Sequence, residues 1–143
     1  MKIQFSDERI DSPAFGATFR PSAEVWLQSR ATGKWYPVTM IVDSGADATL
    51  LPRWIAQILG IDLKRDGQPV EMSGVGGDEI VWLVRNVNAR LGTWERWIPI
   101  GFLDHDNIMP LLGRKDFFET FRVTFTDHTV TFSEPRASRR VTR

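Results

Sequence analysis

Residues 43–45 read Asp-Ser-Gly and directly follow a run of β-branched and apolar residues, 38–42, which is typical of a buried strand. Asp43 therefore lies at the end of an apolar strand, where an unpaired carboxylate charge is costly. Gly45 permits a tight turn because it has no β-carbon, and the Ser44 hydroxyl can hydrogen-bond to a nearby backbone group or carboxylate. Taken alone, the tripeptide also fits a strand that ends in an Asx-type turn, which is the commoner arrangement.

The segments around this loop indicate a mostly β domain. Strands are predicted over residues 23–28 and 35–42, and a short helix over 53–59, with a proline before it and a glycine after it. Residues 70–84 have two apolar arms around a glycine-rich tip, which predicts a hairpin. The remaining predictions are strands over 1–5, 87–91, 94–102, 121–125 and 130–132, a helix over 115–120, and a loop over 6–21.

Three features follow one another along the chain: Asp-Ser-Gly-Ala at 43–46, the glycine-rich hairpin around 74–77, and Leu-Leu-Gly-Arg at 111–114. Together they resemble the active-site loop, the mobile flap and the closing signature of retropepsin-like (retroviral-type) aspartic proteases. The Asp47 after Ala46 points to the retroviral type. Each feature alone could be a solvent turn or a strand end, but all three at family-like spacing would seldom arise by chance.

The resemblance implies a retropepsin-like half-barrel with one or two short helices and an active site on the two-fold axis of a homodimer. The chain has a single Asp-Ser/Thr-Gly motif, because Asp66-Gly67 lacks both the hydroxyl residue and the apolar strand before it. A second copy would therefore supply the second Asp43. As in aspartic proteases generally, the two carboxylates would share one proton, and the ionised one would act as general base on a water. No metal, nucleotide or other cofactor is implied.

The resemblance also implies roles for single residues. Ser44 would hydrogen-bond across the axis, Gly45 and Asp47 would hold the substrate main chain, and Arg114 would pair with Asp47 of its own chain. Val75 would stand at the tip of the flap. The wider site comprises Ala46 in the active-site loop; Ser73, Gly74, Gly76 and Gly77 in the flap; the subsite candidates Ile41, Ala48, Leu50, Met72, Met109 and Leu111; and the supporting residues Thr49, Leu112 and Gly113. Core packing is an equally good interpretation for the large apolar candidates.

Two positions depart from the family pattern. Ala48 stands where a second acidic residue is frequent, which removes a polar subsite contact. Lys115 stands where Asn or Asp is usual, which leaves the hydrogen bond toward Thr49 without its usual partner. The chain also extends further at both ends than the retroviral enzymes. We divide it into an N-terminal extension with an edge strand (1–22), the protease domain (23–133) and a basic tail predicted to be disordered (134–143).

Composition limits the other function classes. The 143 residues suit one domain, and 18 acidic side chains balance 18 basic ones, so neither nucleic acid nor a membrane is an expected partner. No segment has the length of a membrane span, residues 1–19 lack a signal-peptide core, and cysteine is absent, so the default location is cytoplasmic. Asp104-His105-Asp106 could suggest a metal site, but three adjacent loop residues cannot converge on one ion, and a solvated loop is predicted.

These patterns predict a homodimeric aspartic endopeptidase that acts on polypeptides. The alternative is a peptide-binding or assembly module on the same fold, which need not keep Asp43, Ser44 and the flap glycines together as this chain does. A third interpretation is a β-rich nucleic-acid-binding domain that uses the arginines of residues 136–143. Salt-dependent oligonucleotide binding that is lost with the tail would support it.

Overall fold

A computed structural model describes residues 1–74 and 76–134. The predictions for Val75 and for the basic tail from residue 135 onward lie outside the described residues. The strands are β1 (Lys2–Ser6), β2 (Glu8–Ser12), β3 (Gly16–Arg20), β4 (Ser22–Gln28), β5 (Trp35–Val42), β6 (Leu50–Leu51), β7 (Gln68–Gly74), β8 (Gly77–Leu91), β9 (Trp94–Leu103), β10 (Leu111–Leu112), β11 (Arg122–Thr126) and β12 (Thr129–Ser133). Two short helices, α1 (Arg53–Ile58) and α2 (Leu63–Asp66), and a π-helical turn at Arg114–Phe118 complete the described elements.

The largest sheet closes on itself and encloses the core. Its strand order is β4-β5-β10-β6-β9-β8-β7, and β4 also pairs with β8. Strand β4 has the alternation that this requires, because Ala23, Val25 and Leu27 are buried while Glu24 and Trp26 between them are exposed. The predicted mostly β class is confirmed.

A second sheet, in the order β1-β12-β11, also packs against the core. β1 lies at its edge and pairs antiparallel with β12. Ile3 and Phe5 pack against the core, and Phe5 meets the buried Phe132 edge-on with ring centroids 6.0 Å apart. The predicted hairpin of the last two strands is confirmed.

The predicted loop over residues 6–21 is wrong, because β2 and β3 form an antiparallel hairpin there. Gly16, at φ +73°, begins the returning strand. Most residues of this hairpin are exposed, so its strands lack the apolar alternation by which sequence patterns indicate a strand. The backbone ladder between the two strands holds it together.

The helices differ in part from the sequence predictions. α1 lies where a helix was expected, and α2 is an additional turn whose backbone N–H groups at Lys64 and Arg65 are capped by the Asp62 carboxylate. The predicted helix over 115–120 is wrong, because Lys115 and Asp116 have non-helical backbone angles inside the π-helical turn. None of the helices in the described part of the chain is long and apolar enough to cross a membrane.

Candidate active site

Asp43 directly follows the last residue of β5, and its side chain is partly buried. β5 runs parallel to β10, and the Asp43 N–H donates a hydrogen bond to the Leu112 carbonyl at 3.0 Å. The Asp43 carboxylate accepts the Gly45 N–H at 2.9 Å, and the Asp43 carbonyl accepts the Ala46 N–H at 3.2 Å. The Asx-type turn expected of the isolated tripeptide is therefore present, and it orients the carboxylate.

The backbone after this turn is held by the segment that follows β10. The Arg114 N–H donates to the Ala46 carbonyl at 2.8 Å, and the Lys115 N–H donates to the Asp47 carbonyl at 2.9 Å. The sequence pair 43–46 and 111–114 thus forms one unit of structure, although the two segments are far apart in the chain. Lys115 contributes here through its backbone, so its side-chain type does not matter to this contact.

Thr49 anchors the end of the Asp43 loop. Its side chain is buried, its hydroxyl accepts the Gly113 N–H at 3.2 Å, and its carbonyl accepts the Gly101 N–H at 2.9 Å. The hydrogen bond that the family pattern leads one to expect from position 115 is thus supplied by the backbone of Gly113. Buried Leu112 lies beside Gly113 and belongs to the core.

Arg114 does not make the contact that the sequence analysis predicts. Among the described residues, its guanidinium forms no ion pair with Asp47, whose side chain is exposed. The guanidinium donates instead to the Ser44 carbonyl at 3.3 Å and lies 5.7 Å from the centre of the Phe118 ring. The physical reason is the π-helical turn, which brings Phe118 back beside Arg114 and offers the cation an aromatic face.

The glycine-rich hairpin predicted over residues 70–84 is confirmed as a structure. β7 pairs with β8 up to Gly74 opposite Gly77, and the Ser73 hydroxyl donates to the Asp78 carboxylate at 2.6 Å beside the turn. Gly77 has φ +105°, a conformation that side chains with a β-carbon rarely adopt. The turn itself therefore depends on this glycine.

A cleft of about 640 Å³ lies between the Asp43 loop and the hairpin. It brings together most of the predicted site residues: Asp43, Gly45, Ala46, Asp47, Leu50, Met72, Ser73, Gly74, Gly76, Gly77 and Leu111. Eight predicted residues among the described ones do not line it: the loop and subsite candidates Ile41, Ser44, Ala48 and Met109, and the supporting residues Thr49, Leu112, Gly113 and Arg114. Met109 is exposed at the surface, where the Arg20 guanidinium contacts its sulfur at 3.1 Å.

The cleft also has five lining residues that sequence reasoning missed, Asp78, Glu79, Val81, Leu103 and Ile108. No pattern along a single strand indicates Val81 and Leu103, because the β8–β9 register places them opposite one another. Asp43, Asp47, Asp78 and Glu79 give this cleft four carboxylates, and none of its described lining residues is basic.

Glu119, the residue directly after the π-helical turn, contacts two residues of that turn. The Glu119 carboxylate accepts the Asp116 N–H at 3.1 Å and lies 3.4 Å from the Lys115 ammonium. The hydrogen bond from Asp116 lowers the pKa of the Glu119 carboxyl, and the nearby Lys115 charge lowers it further.

The loop Asp104-His105-Asp106 forms hydrogen bonds with the start of α1. The Trp54 N–H donates to the Asp106 carboxylate at 2.9 Å, and the Arg53 N–H donates to the His105 carbonyl at 3.0 Å, so the loop satisfies two free donors at the start of α1. No group of three or more His, Cys, Asp or Glu side chains suited to a metal ion occurs in residues 1–74 and 76–134.

Comparisons with known proteins agree with this architecture. A family model described as "Aspartyl protease" matches residues 28–115, which include the Asp43 loop, the hairpin and the 111–114 segment. Among solved structures, a retropepsin-like aspartic protease from Rickettsia conorii is similar, with a TM-score of 0.65 and 16% identity over 92% of this chain and 89% of that one. This likeness shows a retropepsin-like fold. No curated protein matches the chain in sequence.

Proposed function

Because the chain belongs to the aspartyl protease family, we propose that it is an aspartic endopeptidase that works as a homodimer. Asp43 of each chain would form the catalytic pair. The observation that carries this proposal is the position of Asp43, whose carboxylate is oriented by the Gly45 N–H at the base of a cleft below the hairpin.

The chemistry follows from two carboxylates in contact, which cannot both stay ionised and therefore share one proton. The ionised Asp43 removes a proton from a water, and the water oxygen bonds to the peptide carbonyl carbon. The protonated Asp43 donates toward the carbonyl oxygen. The tetrahedral intermediate then collapses when a proton passes to the leaving nitrogen, and the C–N bond breaks. The pair titrates as a unit.

Two features of the single chain support a second copy. The Asp66-Gly67 pair does not supply the second carboxylate of the site. The Asp66 carboxylate instead binds the Arg65 guanidinium at 3.0 Å and accepts the Asp62 N–H at 2.9 Å. Ser44 is exposed, and within the described residues its hydroxyl makes no hydrogen bond. A symmetry-related Ser44 loop would provide a partner for that hydroxyl and bring the second Asp43 alongside the first.

The cleft supports a polypeptide substrate. Its apolar lining by Leu50, Met72, Val81, Leu103 and Leu111 suits an apolar side chain next to the scissile bond. The exposed backbone of the Asp43 loop would hold the main chain of the peptide. The hairpin would act as a flap that closes over the bound peptide and excludes water.

The test is cleavage of a peptide library by the wild-type protein and by Asp43→Asn. We expect cleavage by the wild type and none by the variant, with unchanged circular dichroism, because the shared proton and the base are lost. Asp11→Asn is the matched control, since it removes a carboxylate from the exposed β2–β3 hairpin. Turnover by Asp43→Asn at the wild-type rate would contradict the proposal. Wild-type protein that binds peptides and cuts none would favour the peptide-binding module instead.

A further inference from the structure

The hairpin projects beyond the end of β9. The last paired residues of the β8–β9 ladder are Val81 and Leu103, and the same antiparallel register continued by two residues places Glu79 opposite His105. The two side chains do meet there, the Glu79 carboxylate with the His105 Nε2. Within the described residues, no other side-chain hydrogen bond or ion pair joins residues 70–80 to the rest of the protein.

The loop that carries His105 is itself firmly placed. The carbonyl of His105 accepts the Arg53 N–H, and the neighbouring Asp106 carboxylate accepts the Trp54 N–H, so the loop is fixed to the start of α1. The Arg53 guanidinium also lies 3.6 Å from the Asp106 carboxylate. The contact with Glu79 therefore links the hairpin to a segment that the body of the protein holds in place.

The hydrogen bonds of His105 also determine its tautomer, that is, which ring nitrogen carries the proton. The Asn107 N–H donates to Nδ1 of the ring at 3.1 Å, so Nδ1 is an acceptor and the neutral ring carries its proton on Nε2. Nε2 then donates to the Glu79 carboxylate. Both ring nitrogens are used, and the ring cannot rotate away without losing both hydrogen bonds.

We propose that His105 is a positioning residue that holds Glu79, and with it the start of β8 in the hairpin, over the cleft. Glu79 lines the cleft, so its contact with His105 determines the position of this side of the cleft before a peptide binds. His105 acts through Glu79 and takes no part in the chemical step. The consequence for catalysis rests on the proposed function, whereas the restraint on the hairpin is independent of it.

The expected effect is modest because 36% of the His105 side chain and 49% of the Glu79 side chain are exposed. Solvent and salt screen such a contact. Its loss should therefore change the opening equilibrium of the hairpin by about two- to fivefold, and should leave the stability of the fold nearly unchanged.

Hydrogen exchange of the full-length protein tests the restraint directly, whatever the protein catalyses. In His105→Ala, the hairpin amides should exchange about two- to fivefold faster than in the wild type, with no change in the barrel. His105→Gln, which keeps a side-chain N–H donor, should restore much of the protection. Unchanged hairpin exchange in His105→Ala would refute the proposal, and so would faster exchange throughout the chain.

Variants of Glu79, the exposed partner of His105, leave the loop that carries His105 unchanged. Glu79→Ala should reproduce the faster hairpin exchange, and the double variant with His105→Ala should add nothing, because the two residues act as one contact. Glu71→Ala removes another exposed carboxylate from the same hairpin and is the matched control. Additive effects, or an equal effect of Glu71→Ala, would refute the role of His105.

Peptide kinetics then separate this role from the catalytic one. If the protein cleaves peptides, His105→Ala should raise KM a few-fold and leave kcat nearly unchanged, because the hairpin still closes once the peptide is bound. A fall in kcat with an unchanged KM would contradict the positioning role. Absence of cleavage by the wild type would refute the proposed function, and the exchange result would still decide whether His105 restrains the hairpin.

Discussion

Gly113 lies so close to the carbonyl of Ala48 that no β-carbon fits between them. The Gly113 N–H meanwhile donates to the Thr49 hydroxyl. The backbone of the segment after β10 therefore packs directly against the backbone at the far end of the Asp43 loop. This contact explains sterically why a glycine stands third in Leu-Leu-Gly-Arg. It also couples the position of Asp43 to the packing of β10.

Gly113→Ala should destabilise the fold by about 3 kcal/mol, because an added methyl group would have to displace backbone atoms and not a flexible side chain. Urea unfolding measures the loss. Gly76→Ala is the matched control, since a β-carbon at Gly76 meets nothing within 4 Å. Equal stability of the two variants would show that the loop can shift to accommodate the methyl group.

Thr49→Val should cost about 1–3 kcal/mol, because the buried Gly113 N–H would lose its acceptor while the volume of the side chain stays the same. Thr49→Ser keeps the hydroxyl and should lose much less. Thermal unfolding of both variants checks the difference. If valine and serine are equally tolerated, the hydroxyl does not hold Gly113.

Gly77→Ala should lower kcat/KM for peptide cleavage clearly, while Tm should change little. Its φ of +105° is strained by about 1–3 kcal/mol for a residue with a β-carbon, and the strain falls on an exposed hairpin. Gly33→Ala is the control, because Gly33 also has a positive φ, +74°, but lies in the exposed turn between β4 and β5, outside the cleft. Parallel measurements of kcat/KM and Tm decide the matter. A Gly77→Ala enzyme with wild-type kcat/KM would show that the hairpin turn does not have to keep this conformation.

The sequence predicted the barrel strands because their buried residues alternate, as in β4, and it predicted the Asp43 loop because the motif is local. It did not predict β2–β3, whose exposed strands carry no apolar pattern. It also placed Arg114 against Asp47, whereas the side chain lies over Phe118. That contact depends on the positive φ of Asp116 and the resulting π-helical turn, which residue types alone do not indicate. The lining residues Val81 and Leu103 required the register of two strands.

The contacts of Glu119 with the π-helical turn should make the stability of the fold depend on pH. The pKa of the Glu119 carboxyl is lowered in the folded protein by the Asp116 N–H, so its stabilising contribution is present above the usual glutamate range near 4.5 and is lost as the pH falls through the lower folded value. Glu119→Gln should therefore be less stable than the wild type at pH 6, and the difference should shrink below pH 4. Urea unfolding at both pH values measures this. Glu24→Gln, which changes another exposed glutamate, is the control, and a difference that grows on acidification would contradict this assignment.

Activity should follow the fraction of dimer, because each chain supplies one Asp43 and one hairpin. Specific activity in a fluorogenic peptide assay should fall when the protein is diluted below its dimer dissociation constant, as measured by mass photometry over the same series. Ser44→Ala should shift that constant upward, since one lost hydrogen bond is worth about 1 kcal/mol and symmetry counts it twice.

Mixed dimers provide the sharpest form of this last prediction. An excess of Asp43→Asn chains should suppress wild-type activity, because each heterodimer holds only one ionisable carboxylate and cannot share a proton between two. An equal excess of Asp11→Asn chains should leave activity per active chain unchanged, since that carboxylate lies on the exposed β2–β3 hairpin. With random mixing at a fixed total concentration of chains, total activity should fall as the square of the wild-type fraction, provided that only wild-type homodimers cleave. A linear fall, or full activity in a species with the mass of one chain, would place the whole reaction within a single subunit and refute the paired Asp43 mechanism.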